Sequence, residues 1–185
     1  ACYPSVLDVP GPVDLVTIVV PNKFVASVLE ESGKKGAKGA IIITAGFREA
    51  GGEGIRMEQE LLEIARRYNM RIIGPNCLGV IDTFVPMNAS FAAGTPEAGS
   101  IAFMSQSGAL CTAILDYALA EYIGFSHFVS LGNKADVDEV ALLQAWGADP
   151  RTNVIIAYIE GIRDGAAFIR TARETARHKP IKIGR

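Results

Sequence analysis

Short apolar runs alternate along the chain with longer stretches in which apolar residues recur at helical spacing. In the first part of the chain this pattern predicts strands over 14–20, 40–44 and 70–73, and helices over 22–34 and 53–68. The stretch 53–68 is typical of an amphipathic helix, because Leu61, Leu62 and Ile64 lie on one side and charged residues separate the apolar positions.

The alternation stops at residues 84–99, where the sequence FVPMNASFAAGTPEAG contains two prolines and no helical periodicity. Such a composition is typical of a connecting segment. The alternation then resumes, with strands predicted over 101–104, 127–131, 153–159 and 181–183, and helices over 108–122, 138–146 and 166–177. We therefore expect two modules, one on each side of this segment.

Strands separated by helices of roughly 10–15 residues form βαβ units and parallel sheets. The predicted fold class is therefore α/β, with two doubly wound parallel-sheet modules whose strands are buried on both faces. The first module has only three predicted strands, and the chain stops at Arg185, where a strand ends. Because three strands are few for such a sheet, we expect both modules to be truncated and the chain to be a fragment.

The composition is that of an ordinary globular protein. The 185 residues are 49% hydrophobic and 21% charged, with a net charge of −2. These values exclude a disordered tail, a collagen-like fibre and a polybasic nucleic-acid arm. No apolar run approaches the ~18 residues of a membrane span, so we expect neither a membrane nor a nucleic acid as partner. Cys2, Cys77 and Cys111 lack paired spacing, which indicates free thiols and a reducing, cytoplasmic compartment.

The carboxyl ends of the predicted strands are where an open parallel sheet binds ligands. The most informative of these ends is Ser105–Gln106–Ser107–Gly108, which follows a strand and opens a helix. The first amides of a helix are unpaired and carry a partial positive charge, and glycine lets the backbone approach an anion. The segment predicts an anion site; the alternative is that Ser107 serves only as the N-cap of the helix.

Cys77 lies between Gly74 and Gly79, just beyond a strand. A catalytic thiol at this position would need a histidine or another cation nearby to lower its pKa. The two histidines of the chain, His127 and His178, belong to the other module, and His127 itself is expected to pack or to face solvent. We therefore favour a small residue in a tight turn beside a ligand over a catalytic cysteine.

Glu160 ends a strongly apolar strand, where an ionisable group is unusual. Its carboxylate either orients an imidazole or pairs with Arg163 or Lys134, and the sequence leaves both interpretations open. Neither histidine is spaced from another histidine, cysteine or carboxylate as metal ligands are, so we expect no metal bound by side chains of this chain.

Five motifs occur in order at these strand ends: TAGFRE over 44–49, GPNCLG over 74–79, SQSGA over 105–109, LGNKADVD over 131–138 and YIEG over 158–161. Each is weak alone, but together they span essentially the whole chain. They resemble the α-type part of the nucleoside-diphosphate-forming acyl-CoA synthetases, the succinyl-CoA synthetase superfamily. The closer similarity is to the ADP-forming acetate/acyl-CoA ligases.

The resemblance implies a Rossmann-like CoA-binding module over residues 1–95, truncated at its N-terminus, and a flavodoxin-like ligase module over residues 96–185, truncated at its C-terminus. It implies CoA binding by Pro21, Asn22, Lys23, Ala45, Gly46 and Phe47, with Asn76 and Cys77 near the thiol end. It implies phosphate binding by Ser105, Gln106, Ser107 and Gly108. Glu160 matches the glutamate that steadies a phosphorylated histidine, which lies outside this chain.

The reaction implied by the resemblance converts acyl-CoA and phosphate into acyl phosphate and CoA. The phosphoryl group then passes to a histidine, and from there to ADP bound with Mg on an ATP-grasp unit. The family's glycine-rich first turn, its histidine loop and its ATP-grasp unit have no counterpart in this sequence. We therefore expect an ATP-grasp subunit or domain as partner, an oligomeric enzyme, and no turnover by this chain alone.

Two alternatives come from other classes of protein. A non-catalytic sensor of CoA or acyl-CoA would use the same strand ends, but its Glu160 would have no histidine to orient. An NAD-dependent dehydrogenase is disfavoured, because no G-x-G-x-x-G motif follows a strand and the glycines at 51–54 lack that spacing.

Overall fold

Three parallel strands form the sheet of the first of two compact units. The computed structural model describes all of residues 1–185. The first unit comprises residues 1–77 and 133–137. Its elements are β1 (Leu15–Ile18), α1 (Asn22–Lys35), β2 (Gly39–Ile42), α2 (Glu53–Tyr68) and β3 (Arg71–Ile73), with strand order β1-β2-β3. The predicted strands and helices of this region are confirmed.

Each helix of the first unit ends where the backbone turns into the left-handed region. The residue after α1 is Gly36, with φ +100°, and the residue after α2 is Asn69, with φ +53°. Glycine and asparagine tolerate this conformation best, so the helix ends there and the chain turns toward the next strand. The helices and strands share a core that includes Val25, Leu29, Ile42, Leu61, Ile64 and Ile72.

A segment from much later in the chain lies along the edge of β3. The amides of Asn133, Ala135 and Val137 donate to the carbonyls of Pro75, Gly74 and Ile72 at 2.9–3.0 Å. Asp136 Oδ2 accepts two further hydrogen bonds, from the Ile72 amide and from Arg71 Nε, both at 2.8 Å. Residues 133–137 therefore run antiparallel to the end of β3 as part of the first unit.

The second unit comprises residues 78–132 and 138–185 and contains a six-stranded sheet. Its strands are β4 (Gly79–Asp82), β5 (Met87–Ser90), β6 (Ala98–Ser105), β7 (Phe125–Ser130), β8 (Val154–Tyr158) and β9 (Ile181–Gly184), in the order β5-β4-β7-β6-β8-β9. Its helices are α3 (Gly108–Ala120), α4 (Glu139–Ala148) and α5 (Gly165–Thr175). The strands β7, β6, β8 and β9 are parallel, which confirms the predicted α/β class.

The prediction of a purely connecting segment over residues 84–99 is wrong. This segment contains β5, which pairs with β4 as an antiparallel hairpin, and β4 pairs antiparallel with β7. The hairpin escaped the pattern analysis because β5, with the sequence MNAS, has only four residues and none of the β-branched or aromatic side chains that mark a strand. The compact units divide between residues 77 and 78, whereas domains over 1–95 and 96–185 stay a prediction.

His127 lies between two carboxylates in the second unit. Its Nε2 is 2.7 Å from Asp149 Oδ2 and its Nδ1 is 3.3 Å from Asp82 Oδ2, while its ring stacks on Trp146 with ring centroids 5.8 Å apart. Arg151 donates to both oxygens of Asp149 at 2.7–3.1 Å, and these bonds hold the pKa of that carboxyl well below its usual range. The sequence predicted that His127 packs or faces solvent; the structure shows it packed on Trp146 and in contact with charged side chains.

Candidate functional site

The predicted CoA-binding residues follow the carboxyl ends of three neighbouring parallel strands, where such a sheet binds ligands. Asn22, at the start of α1, donates from Nδ2 to the carbonyl of Gly46 at 3.1 Å. Gly46 has φ +98°, and a Cβ there would lie 2.6 Å from Asn22 Nδ2, so only glycine fits against this amide. The structure thereby brings the loops after β1 and β2 together, with Pro21, Lys23 and Ala45 exposed beside them.

The loop after β3 joins the same edge. The amide of Asn76 donates to the Thr44 carbonyl at 3.0 Å, and the Asn76 side chain is exposed. The Cys77 thiol is buried, at 5% exposure, and donates from Sγ to the Ile42 carbonyl at 3.3 Å. The thiol therefore anchors this loop to β2, as a structural turn residue would, and its place beside a ligand stays a prediction.

Phe47 and Glu49 form the turn after β2, and they leave little for a ligand to contact except the backbone. The Phe47 side chain lies in the hydrophobic core and is fully buried. The Gly46 and Phe47 amides donate to Glu49 Oε1 at 2.5 and 3.2 Å. The carbonyls of Gly46 and Phe47 also accept, from Asn22 Nδ2 at 3.1 Å and from the Ala50 amide at 2.9 Å. Any contact between CoA and residues 46–47 would therefore involve a Cα atom or the second lone pair of a carbonyl.

Ser105 and Ser107 shape the turn between β6 and α3 in different ways. The Ser105 side chain is buried, accepts from the Ser107 amide at 3.0 Å and donates to the Ser107 carbonyl at 3.1 Å. Ser107 Oγ accepts from the Leu110 amide at 3.2 Å and is the N-cap of α3. Both hydroxyls thus hold the loop, and the groups open to an anion are the first helical amides. Gly108 is exposed, with no heavy atom within 4 Å of where a Cβ would stand.

Gln106 connects this turn to the loop that carries Glu160. The Gln106 amide donates to the Tyr158 carbonyl at 3.1 Å, and its side-chain Oε1 accepts from the amides of Glu160 and Gly161 at 2.8 and 3.1 Å. The predicted phosphate-binding turn and the predicted carboxylate are therefore adjacent in the second unit. Gln106 acts there through backbone amides, and the Glu160 carboxylate is exposed.

The buried thiol of Cys111 hydrogen-bonds to Ser105 in the turn between β6 and α3. Cys111, in α3, is fully buried, and burial raises the pKa of its thiol to about 11, although hydrogen bonds with Ser130 and Ser105 oppose the rise. The Ser130 hydroxyl in turn accepts from the Leu78 amide at 2.9 Å. Cys111 is therefore a neutral, structural group that fixes Ser105.

Three polar residues of the first unit were missed as a group by the sequence analysis. Asn133 donates from Nδ2 to Glu49 Oε2 at 2.5 Å and to Glu58 Oε2 at 2.8 Å. Burial opposes the ionisation of Glu49, but the bonds from Asn133 and from the Gly46 and Phe47 amides outweigh it and lower the pKa of this carboxyl. Glu58 could have been found, because it stands on the apolar side of this helix, three residues before Leu61 and seven before Ala65, where a charged residue is unusual.

One exposed cation and one exposed side-chain amide lie at the edge of the first sheet, and CoA binding by them stays a prediction. Lys23 is exposed at the start of α1, with its ammonium 5.0 Å from the centroid of the Phe24 ring. The side-chain amide of Asn76 is exposed next to the loop after β2.

No group of three or more histidine, cysteine or acidic side chains is arranged to hold a metal ion. None of the helices has both the length and the apolar character needed to cross a membrane.

Two families of known proteins match the chain. Residues 1–83 match the family described as CoA binding domain, and residues 98–184 match the succinyl-CoA ligase like flavodoxin domain. The two matches follow the order that the sequence motifs imply, and they confirm a Rossmann-like CoA-binding region followed by a flavodoxin-like one.

Proteins with established names align over almost the whole chain. The ADP-forming acetate–CoA ligase I of Archaeoglobus fulgidus is 50% identical over 98% of this chain, which corresponds to 27% of that protein. The alpha subunit of the ADP-forming acetate–CoA ligase II of Pyrococcus furiosus is 50% identical over 97% of this chain and 39% of that subunit. The chain thus spans between a quarter and two fifths of the length of these relatives.

One solved structure is similar to this chain in both fold and sequence. The dinucleotide forming acetyl-coenzyme A synthetase 1 of Ca. Korarchaeum cryptofilum, in complex with phosphate and ADP, has a TM-score of 0.94 and 44% sequence identity, and the match covers 98% of this chain and 39% of that chain.

Proposed function

We propose that this chain is the α-type part of an ADP-forming acyl-CoA ligase, because it matches the CoA binding domain and the succinyl-CoA ligase like flavodoxin domain and is 50% identical to parts of two ADP-forming acetate–CoA ligases. The complete enzyme would interconvert acyl-CoA, ADP and phosphate with the free acid, CoA and ATP. Acyl phosphate and a phosphohistidine would be intermediates. An ATP-grasp subunit or domain would bind ADP with Mg, and the assembly would work as a cytoplasmic oligomer.

One observation carries this proposal: an exposed helix N-terminus with the Glu160 loop held beside it. The amides of Gly108 and Ala109 make no hydrogen bond, because the first amides of a helix have no intrahelical acceptor and Ser107 Oγ accepts from the next amide, that of Leu110. Preorganised main-chain donors of this kind stabilise a dianionic phosphoryl group without having to reorganise, which is the main requirement of phosphoryl transfer.

Glu160 is the second element of the proposal. Gln106 fixes the Glu160 backbone beside the proposed phosphate-binding turn. Because the Glu160 side chain is exposed, its carboxylate could accept a hydrogen bond from the far nitrogen of an incoming imidazole. Such a bond would select one tautomer and favour the phosphorylated state of that histidine. The histidine would come from outside this chain, and neither His127 nor His178 is assigned this role.

The first unit would bind CoA. Lys23, exposed at the start of α1, would pair with phosphate of CoA, while Pro21, Asn22, the backbone of Ala45–Phe47, and Asn76 with Cys77 would line its pantetheine arm. When bound, CoA supplies the thiol that carries the acyl group. The residues of this chain orient that thiol and hold the carrier.

The experiment is a coupled assay of ATP formation from acetyl-CoA, ADP and phosphate, with the complete enzyme and with this chain alone. We expect ATP only from the complete enzyme, and CoA binding by titration calorimetry. ATP made by this chain alone would contradict the view that it is one part of the catalyst.

The same measurements separate the alternatives. A complete protein that binds CoA but forms neither ATP nor a phosphorylated histidine with radiolabelled phosphate would support a non-catalytic acyl-CoA sensor. Binding of NAD in place of CoA would support a dehydrogenase.

A further inference from the structure

The carboxamide of Asn133 is bonded to three different elements of the first unit. Its Nδ2 donates to Glu49, in the turn after β2, and to Glu58, in α2, at 2.5 and 2.8 Å. Its Oδ1 accepts from Asn76 Nδ2, in the loop after β3, at 3.3 Å. The residue is 9% exposed, so it acts as an internal link and its side chain is not open to a ligand.

The Asn133 amide links the two carboxylates to each other. Both are bonded to one nitrogen, so their oxygens lie within ~5 Å of each other, a distance at which like charges repel appreciably in a partly buried site. Arg48 lies 3.6 Å from Glu58 through Nη1 and donates to the Asn133 carbonyl through Nη2. Asn133 is the group that donates to both carboxylates at once. Its removal would leave their repulsion opposed only by Arg48 beside Glu58 and by the Gly46 and Phe47 amides on Glu49.

The link continues from Glu49 to the proposed CoA-binding loop. Glu49 accepts from the amides of Gly46 and Phe47, and those residues define the turn after β2. A shift of the Glu49 carboxylate would therefore move the turn, and a shift of Asn133 would also release the Asn76 side chain. Asn133 thus controls two of the three loops that we propose for CoA.

We propose that Asn133 is a positioning residue for the thioester carrier: it fixes the loops after β2 and β3 in the arrangement that binds CoA, without contacting CoA itself. This inference rests on the proposed function. Asparagine suits the position, because aspartate would add a third carboxylate and an aliphatic side chain would remove both donors. The backbone of residues 133–137, bonded along β3, places this amide.

The experiment compares Asn133→Ala with Asp136→Asn in the complete enzyme. Asp136 anchors the same segment to β3 through Ile72 and Arg71 but makes no bond to the proposed CoA loops. For Asn133→Ala we expect the Kd and KM for CoA to rise about tenfold or more, with the KM for ADP and for the acid unchanged within a factor of two. For Asp136→Asn we expect a comparable fall in Tm and an unchanged KM for CoA.

Two further variants keep the inference falsifiable if Asn133→Ala fails to fold. Glu49→Gln retains the size of the side chain but breaks the paired acceptors, and it should raise the KM for CoA selectively. Asn133→Ser retains one donor and should lie between the wild type and Asn133→Ala. Equal effects of all variants on CoA, ADP and acid, or none on CoA, would show that Asn133 is merely structural. If the unmodified enzyme does not bind CoA, the proposed function itself fails.

Discussion

A substitution of Gly108 tests the proposed phosphate site most directly, because a side chain there would meet no other part of the protein. It is the first residue of α3, and no heavy atom lies within 4 Å of the position a Cβ would take. Replacing glycine by alanine in a helix lowers the entropy lost on folding, so Gly108→Ala should stabilise the protein by at most ~1 kcal/mol. For a chain of this size that corresponds to a rise in Tm of no more than about 4 °C.

The effect on phosphate should be opposite in sign. A side chain at position 108 stands beside the two free amides, and loss of one hydrogen bond to a charged group costs about 1.5–3 kcal/mol. Since 1.4 kcal/mol is a factor of ten, the KM for phosphate should rise roughly ten- to hundredfold. We expect Gly108→Val to show the full effect and Gly108→Ala part of it, in assays of ATP formation by the complete enzyme at varied phosphate.

Gly165 provides a matched control. It is likewise the first residue of its helix, α5, follows an N-cap whose side chain accepts from the third helical amide, and has open space where a Cβ would stand. Gly165→Val should therefore change Tm as Gly108→Val does and leave the KM for phosphate as it is. An unchanged KM in Gly108→Val, or an equal rise in both variants, would refute a phosphate site at the start of α3.

The remaining predictions concern Glu160, Asp149 and the thiols. Glu160→Gln should slow the formation of phosphohistidine, measured with radiolabelled phosphate, while CoA affinity stays constant; a parallel loss of CoA binding would assign the residue elsewhere. The lowered pKa of Asp149 means that its contribution to stability is complete above the usual carboxyl pKa and is lost as pH falls through the lowered value. Asp149→Asn should therefore lower Tm at neutral pH and flatten its acid dependence, and an unaltered Tm–pH curve would contradict this. Under native conditions a thiol reagent should modify Cys2, which is exposed, and spare Cys77 and Cys111, which are buried; rapid modification of Cys111 would oppose its raised pKa.

The sequence pattern predicted the parallel strands and their helices because buried strands are continuous apolar runs and amphipathic helices repeat their apolar positions. It predicted the place of Ser107 and Gly108 for the same reason, since the end of one element and the start of the next are local features. It missed both strands of the hairpin, β4 and β5, which have four residues each; β5 contains no β-branched or aromatic side chain. It also missed the side-chain partner of Gln106 and the position of Asn133, which bonds to Glu49 across 84 residues of sequence. Contacts at that separation follow from the tertiary fold and leave no local pattern.

The strand-like segment 133–137 has a consequence for how this region can be cut or transplanted. A contiguous piece of the gene that ended after β3, or even after the hairpin β4-β5, would encode all three strands of the first sheet. It would lack residues 133–137, which hydrogen-bond to the exposed edge of β3. The backbone groups of Ile72 and Gly74 would then be unpaired, and an unpaired strand edge promotes association with a second copy of the chain. A chimera meant to keep the CoA-binding region intact must therefore carry both pieces of the chain.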